Sequence, residues 1–401
     1  MSIIGINDIR AAHDKIRSTI IHTPLHGSRS ASEWLHTQAH FKFENEQVTG
    51  SFKLRGALNK ILSLTESERA RGIVASSAGN HAQGVAFAAQ RVGAKAKIVM
   101  PVNSPLIKIM ATQGYGAEVV LYGQVYDEAY AHARQLEKEQ GLTFVHAFED
   151  PMVIAGQGTL GLELITDLPD VDSVIVPIGG GGLISGVATA VKALRPGCKI
   201  YGVVSDQAPG MMNLFNHQKA EAPPGLTIAD GIAVKKPSEA MYGDYISKLV
   251  DDVISVTDDE IAEAIVWLLE RAKTVVEGSG ATVLAAAAKN RWQLGKKTCL
   301  ILSGGNIDLN IISMVIERGL SRNGRLARIT VVVADRPGAL QRLTNALAGE
   351  QANILDVKHD RLRTDLLISE TAIEFLVETK SREHIKKLKV ALAQAGARVL
   401  A

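Results

Sequence analysis

The chain has 401 residues, 46% apolar and 21% charged, with 44 Lys and Arg against 42 Asp and Glu. That composition excludes dominant disorder and allows about two or three domains, while a net charge of +2 from interleaved basic and acidic residues excludes the basic face of a nucleic-acid binder. No apolar run approaches the roughly 20 residues of a membrane span, and Cys198 and Cys299 are too few for a disulfide framework. Both cysteines read as small buried apolar residues, and with a start (Met-Ser-Ile-Ile-Gly-Ile-Asn-Asp-Ile-Arg) unlike a signal peptide, the expected location is the cytoplasm.

The first informative stretch is Glu44 to Ala57. Lys53 follows a Gly50-Ser51 turn and stands between Phe52 and Leu54, where partial desolvation lowers the pKa of an amine and makes it nucleophilic; an aldehyde-binding lysine needs that, although a surface lysine at a helix start has the same local sequence. From Gly72 to Phe148, short apolar runs at Ile73–Ala75, Ala96–Met100, Ala117–Leu121 and Thr143–Val145 read as strands. Segments of helical period, including Gly84–Arg91 and Tyr126–Glu139, separate them, so the pattern is β-α-β on a parallel sheet. Between the first strand and its helix lies Ser76-Ser77-Ala78-Gly79-Asn80-His81-Ala82-Gln83-Gly84. Small residues with free N–H groups at a helix N-terminus suit an anion such as a carboxylate, and a capped turn is the plainer alternative.

A second set of strands begins at Asp172–Pro177 and returns at Lys199–Val204, with a helix over Leu183–Leu194 between them. Two α/β lobes with a cleft follow from the two sets. The connecting loop holds Gly179, Gly180, Gly181 and Gly182, then Leu183. Four glycines opening a helix let the backbone wrap a phosphate; a dinucleotide fingerprint would need G-x-G-x-x-G, and Ile184 or Ser185 occupies the last position, although Asp206 keeps a nicotinamide reading open. Further on, Glu277-Gly278-Ser279-Gly280-Ala281 reads equally well as a turn capped by Ser279 and as a ligand-facing Glu277. Strand Leu300–Leu302 runs into Ser303-Gly304-Gly305-Asn306. Because strand ends of a parallel sheet converge on one crevice, Ser77, Gly180 and Ser303 are expected around one ligand. Met110, Met211 and Met212 read as packing residues.

Near Arg318 the character changes. Residues 319–327 read as a linker, and 328–401 as a small β-α-β-β-α-β domain of ferredoxin-like order, with the larger region spanning 1–318.

Taken together, these motifs resemble the threonine and serine dehydratases of the fold-type II pyridoxal phosphate enzymes, relatives of the tryptophan synthase β subunit, over roughly Ile6 to Ile316. The tail from Arg328 resembles an ACT regulatory domain, with Asp335 to Leu340 as its first strand-to-helix turn. The resemblance implies an α/β two-lobed enzyme with a small α+β tail. It implies Lys53 as the Schiff-base lysine, Phe52 beside the cofactor ring, Asn80 on the ring hydroxyl, Gly179 to Leu183 around the phosphate, and Ser303 on the pyridine nitrogen. Ser77, Ala78, Gly79, Asn80 and His81 would hold the substrate carboxylate. The implied reaction is dehydration and deamination of L-threonine to 2-oxobutanoate and ammonia, with L-serine as a side substrate. Lys53 would act as base, and the cofactor phosphate as acid for the departing hydroxyl.

Two departures separate the chain from serine racemases: Ala78 stands where they carry a catalytic serine, and Val204 where they carry a metal-binding glutamate. No metal site is expected. A branched-chain amino acid bound near Gly338 or Asn353 is the implied effector, and a homodimer or homotetramer the implied assembly. The alternatives are a serine dehydratase or racemase on the same scaffold, and a non-catalytic amino-acid sensor.

Overall fold

The computed structural model describes residues 2–219 and 225–400. The chain divides into two compact units, Met1–Leu309 and Asn310–Ala401. This division precedes the boundary expected at 318. Residues 319–327 are also mostly regular structure: helix Leu309–Arg322 covers their start and strand Leu326–Ala334 their end, leaving Asn323 to Arg325 as the turn.

The first unit contains two sheets. One runs Leu25–Gly27, Gln38–Phe43, Lys297–Leu302, Ser173–Pro177, Lys199–Ser205, Asp252–Val256 in spatial order, parallel throughout except for its first pair. The other runs Glu118–Leu121, Ala96–Met100, Ile73–Ser76, Thr143–Phe144 and is wholly parallel. Parallel strands are covered on both faces, and this is why Ser173–Pro177 and Ile73–Ser76 are buried at every position and are spelled as unbroken apolar runs rather than alternating ones.

Local chemistry sets where the surrounding helices begin. Asp150 caps helix Pro151–Asp167 by accepting from the Met152 and Val153 amides, with Pro151 preset for the first turn. That helix packs against Gly182–Leu194 at close range: a Cβ on Gly186 would lie 2.5 Å from the Ile154 carbonyl oxygen. Helix Asn80–Arg91 starts four residues before the expected Gly84, placing Asn80 and His81 in its first turn. Met211 is buried and Met212 packs against the same core, but Met110 is 60% exposed on helix Leu106–Gly114, correcting its reading as a packing residue. Its helix buries only Thr112, so the apolar spelling there does not mark core. Both cysteines are buried and unpaired.

In the second unit an antiparallel sheet runs Asn353–Asp360, Glu370–Glu378, Leu326–Ala334, Arg398–Val399. With helices Ala339–Gly349 and Arg382–Gln394, the chain order is the expected β-α-β-β-α-β. Ile329, Val331, Ile373, Phe375, Leu343, Leu347, Leu388 and Leu392 form its core.

Candidate active site

A cavity of about 810 Å³ opens within the first unit, where strand C-terminal ends of both sheets meet. Phe52, Lys53, Ser77, Ala78, Gly79, Asn80, His81, Gly179, Gly180, Gly181, Gly182, Leu183 and Ser303 all line it. Asp206, the acid that kept a nicotinamide reading open, is absent from its wall.

Lys53 opens helix Lys53–Leu62. Its Nζ donates to the Ala147 carbonyl oxygen at 3.0 Å and lies 5.3 Å from the Phe52 ring centre. Burial pulls its pKa down to about 8, with Glu277 opposing, so a substantial fraction of the amine is neutral near physiological pH. The helix start is seated on the strand-end turn opposite: the Phe52 amide donates to Ser303 O at 3.1 Å, and Ser51 bridges to Gly304.

On the far wall, the glycine loop opens helix Gly182–Leu194. Gly181 adopts φ +97°, a conformation that favours glycine. A Cβ on Gly180 would fall 2.3 Å from the Phe148 ring, so the ring lies directly against the loop backbone. The amides of residues 179–183 have no hydrogen-bond acceptor among the described residues, and they sit at the positive end of the helix dipole. Ser76 Oγ, Ser279 Oγ and His81 Nδ1, all on residues of the cavity wall, are likewise buried without a partner. His81 Nε2 donates to Val145 O at 2.9 Å, and burial, assisted by Lys53, lowers its pKa to about 3, which leaves a neutral ring.

Glu277 belongs to this wall. It precedes helix Gly278–Ala288 without capping it, and Ser279 makes no cap either, so the reading of Ser279 as a cap is corrected. Asn80 Nδ2 donates to Glu277 Oε1 at 2.7 Å, and Asn306 Nδ2 donates to Asn80 Oδ1 at 2.7 Å. Burial, then Asp230, pushes the Glu277 pKa up to about 7.

Sequence reasoning singled out neither His146 nor the pair Lys108 and Asp230, 2.5 Å apart on the cavity lining. His146 follows a parallel strand's C-terminal end, which was an available signal. Its Nδ1 accepts from the Phe148 and Glu149 amides at 3.3 and 2.8 Å, fixing the ring proton on Nε2. Nothing local marks Lys108 or Asp230.

An amine whose pKa burial draws down toward neutrality faces a helix start with free amides, which is the donor set an aldehyde bearing a phosphate requires. Residues 16–304 match the family model described as "Pyridoxal-phosphate dependent enzyme". The chain belongs to the pyridoxal-phosphate dependent enzymes. Among similar members of that family is the L-threonine ammonia-lyase of Thermotoga maritima, 46% identical over 394 residues, 98% of each chain. Processed threonine deaminase isoform 2 of Solanum lycopersicum is 39% identical in sequence, with a TM-score of 0.73 over 78% of this chain and 86% of that one. Maize serine racemase is 34% identical with a TM-score of 0.74, over 80% of this chain and all of that one (100%). Pyridoxal phosphate is therefore the cofactor, and no helix among the described residues is long and apolar enough to cross a membrane.

Proposed function

We propose that this pyridoxal-phosphate dependent enzyme is a cytoplasmic L-threonine ammonia-lyase, converting L-threonine to 2-oxobutanoate and ammonia with L-serine as a side substrate. The observation that carries the reading is the placement of Lys53, a buried amine whose pKa lies near 8, opposite the free amides of the glycine loop. The full-length similarity to L-threonine ammonia-lyases supports the choice of substrate. When bound, pyridoxal phosphate supplies the electron sink that acidifies the α-carbon of an amino acid.

The chain's own residues do the rest. The amides of Gly179 to Leu183 hold the phosphate, Phe52 and Ser303 bound the ring, and Asn80 presents an amide to the ring hydroxyl. Ser77 to His81, at the start of helix Asn80–Arg91, orient the substrate carboxylate. Lys53 Nζ takes the proton from the substrate α-carbon, a role that needs a neutral amine at working pH. Ser303 offers a hydroxyl where a carboxylate would force a ring nitrogen to carry a proton, which favours prompt loss of the β-hydroxyl. Ala78 has no hydroxyl to protonate the opposite face, and this speaks against racemisation.

In the same proposal, residues 328–401 act as an ACT-type regulatory domain that binds a branched-chain amino acid near Gly338 or Asn353, in a homodimer or homotetramer. Their β-α-β-β-α-β order supports this, as does the turn at Gly338, φ +83°, that opens helix Ala339–Gly349. An effector must bind two states with affinities differing by about 1 to 3 kcal/mol to act.

The deciding experiment measures 2-oxo acid formation from L-threonine and L-serine by purified protein, with isoleucine and valine added in turn. Production of 2-oxobutanoate from threonine, lost by about 1,000-fold or more in Lys53→Ala, supports the proposal; full turnover by Lys53→Ala refutes it. Removing every residue after Asn323 should abolish the effector response and spare some turnover.

A further inference from the structure

The helix carrying Lys53 begins without the usual devices that hold a helix start. Phe52 precedes it in helical conformation (φ −57°, ψ −21°), no side chain caps it, and no acid stands in its first turn. Its third residue is instead Arg55, a cation at the end where the helix dipole disfavours one. Residues two apart on a helix project roughly 200° from each other, so Arg55 enters the protein interior behind the lysine that faces the cavity.

Arg55 is fully buried (0%) and gripped by two carboxylates in forks. Nε and Nη2 donate to Glu44 Oε2 and Oε1, both at 2.8 Å, while Nη1 and Nη2 donate to Glu163 Oε1 and Oε2 at 2.6 and 2.9 Å. Nη1 also donates to Thr159 Oγ1 at 3.2 Å. Each carboxylate is anchored in turn, Glu44 by the Thr23 hydroxyl at 2.6 Å and Glu163 by Lys42 at 2.8 Å. Burial works against the Arg55 charge, and Glu44 and Glu163 outweigh it, raising its pKa. One side chain thus joins the first turn of the lysine helix to the turn Glu44–Glu46 and to helix Pro151–Asp167.

We propose that Arg55 is a positioning residue for Lys53: its two-carboxylate clamp sets the rotation of the helix's first turn, and so where the Lys53 amine stands relative to cofactor and substrate. The proposal rests on Lys53 being the cofactor lysine. Lysine cannot replace arginine here, since a single ammonium reproduces neither fork.

The test uses full-length holoenzyme. Arg55→Lys keeps the charge and loses both forks, Glu44→Gln keeps the shape and weakens one fork, and Thr159→Val removes one contact. In folded Arg55→Lys, kcat should fall on the order of 10- to 100-fold with KM nearly unchanged, and the pH midpoint of the cofactor's visible absorbance should move. Glu44→Gln and Thr159→Val should show the same changes in smaller, graded steps, and they carry the test if Arg55→Lys does not fold. Folded variants that lose thermal stability while keeping the parent kcat and pH midpoint would make Arg55 a structural residue only and overturn the proposal. Borohydride trapping and peptide mapping of the parent separate the underlying reading: cofactor on a lysine other than Lys53 overturns that reading and the proposal together.

Discussion

Glu163 and Glu277 are nearly equally hidden, 2% and 5% exposed, yet their surroundings drive them in opposite directions. Burial raises the pKa of each carboxyl, but around Glu163 the guanidinium of Arg55 and the ammonium of Lys42 outweigh it and hold the carboxyl below its usual range. Around Glu277 the nearest partner is the neutral amide of Asn80, Asp230 adds like charge, and the pKa rises to about 7. Lys53 shows the same imbalance with the other sign. The difference teaches where this protein keeps scaffold and where it keeps chemistry: in the block behind Lys53 pairing wins over desolvation, and in the cavity desolvation wins over pairing.

The sharpest way to break this contrast is to remove each carboxylate in turn. Glu163→Ala leaves the buried Arg55 and Lys42 cations with only Glu44 and the more distant Asp167 between them and should cost about 3 to 5 kcal/mol in urea denaturation, whereas Glu277→Gln should cost little below pH 7, where Glu277 is already mostly protonated. Equal losses would dissolve the distinction. Next comes pH. A carboxyl raised from 4.5 to about 7 keeps its proton longer folded than unfolded, so its contribution is fully present below 4.5 and is lost as pH rises through about 7. Cofactor-free protein should therefore lose on the order of 3 kcal/mol across that window from this group, and Glu277→Gln should flatten the difference.

Gly180→Ala probes the cavity wall without touching a charge. Its Cβ would meet the Phe148 ring at 2.3 Å, and overpacking of about 1 to 3 kcal/mol, if expressed in the cofactor site, corresponds to a loss of cofactor affinity of roughly 5- to 150-fold in equilibrium titration. The smallest effect is directional. Glu277 is the charge that holds the Lys53 pKa up, so Glu277→Gln should place the midpoint for amine capture of an aldehyde, followed in cofactor-free protein, below about 8. A midpoint that rises instead would remove Glu277 from the electrostatics of Lys53.

Much of the fold was legible in the sequence because parallel strands buried on both faces must be spelled as unbroken apolar runs, and turn residues must follow their ends. Ile73–Ser76, Ser173–Pro177 and the Leu300–Leu302 end of Lys297–Leu302 announce themselves this way, as do the loops that follow them, and Ala96–Met100 does so around a half-buried Lys97. Met110 misled for a related reason: helix Leu106–Gly114 is apolar in composition, but what it packs against is not a local property. Ser279 and Glu277 divided the same way, since a capping sequence and a ligand-facing one are identical until the opposite wall is in place.

By itself, then, the sequence determined the central parallel strands of two α/β sheets, the β-α-β-β-α-β unit after them, and the helix starts whose free amides and small residues suit anions, since these follow from period, turn chemistry and backbone valence; strands Leu25–Gly27, Gln38–Phe43 and Asp252–Val256 carried no such signal. Only the tertiary structure decided which charges would be matched. In one dimension Lys53 and Glu277 are candidates with a plainer alternative each, and Arg55 and Glu163 carry no signal; the separation of an over-paired block from an under-paired cavity depends on distances between elements up to about 200 residues apart, because desolvation and Coulomb energy are set by everything that surrounds a charge and not by its chain neighbours alone.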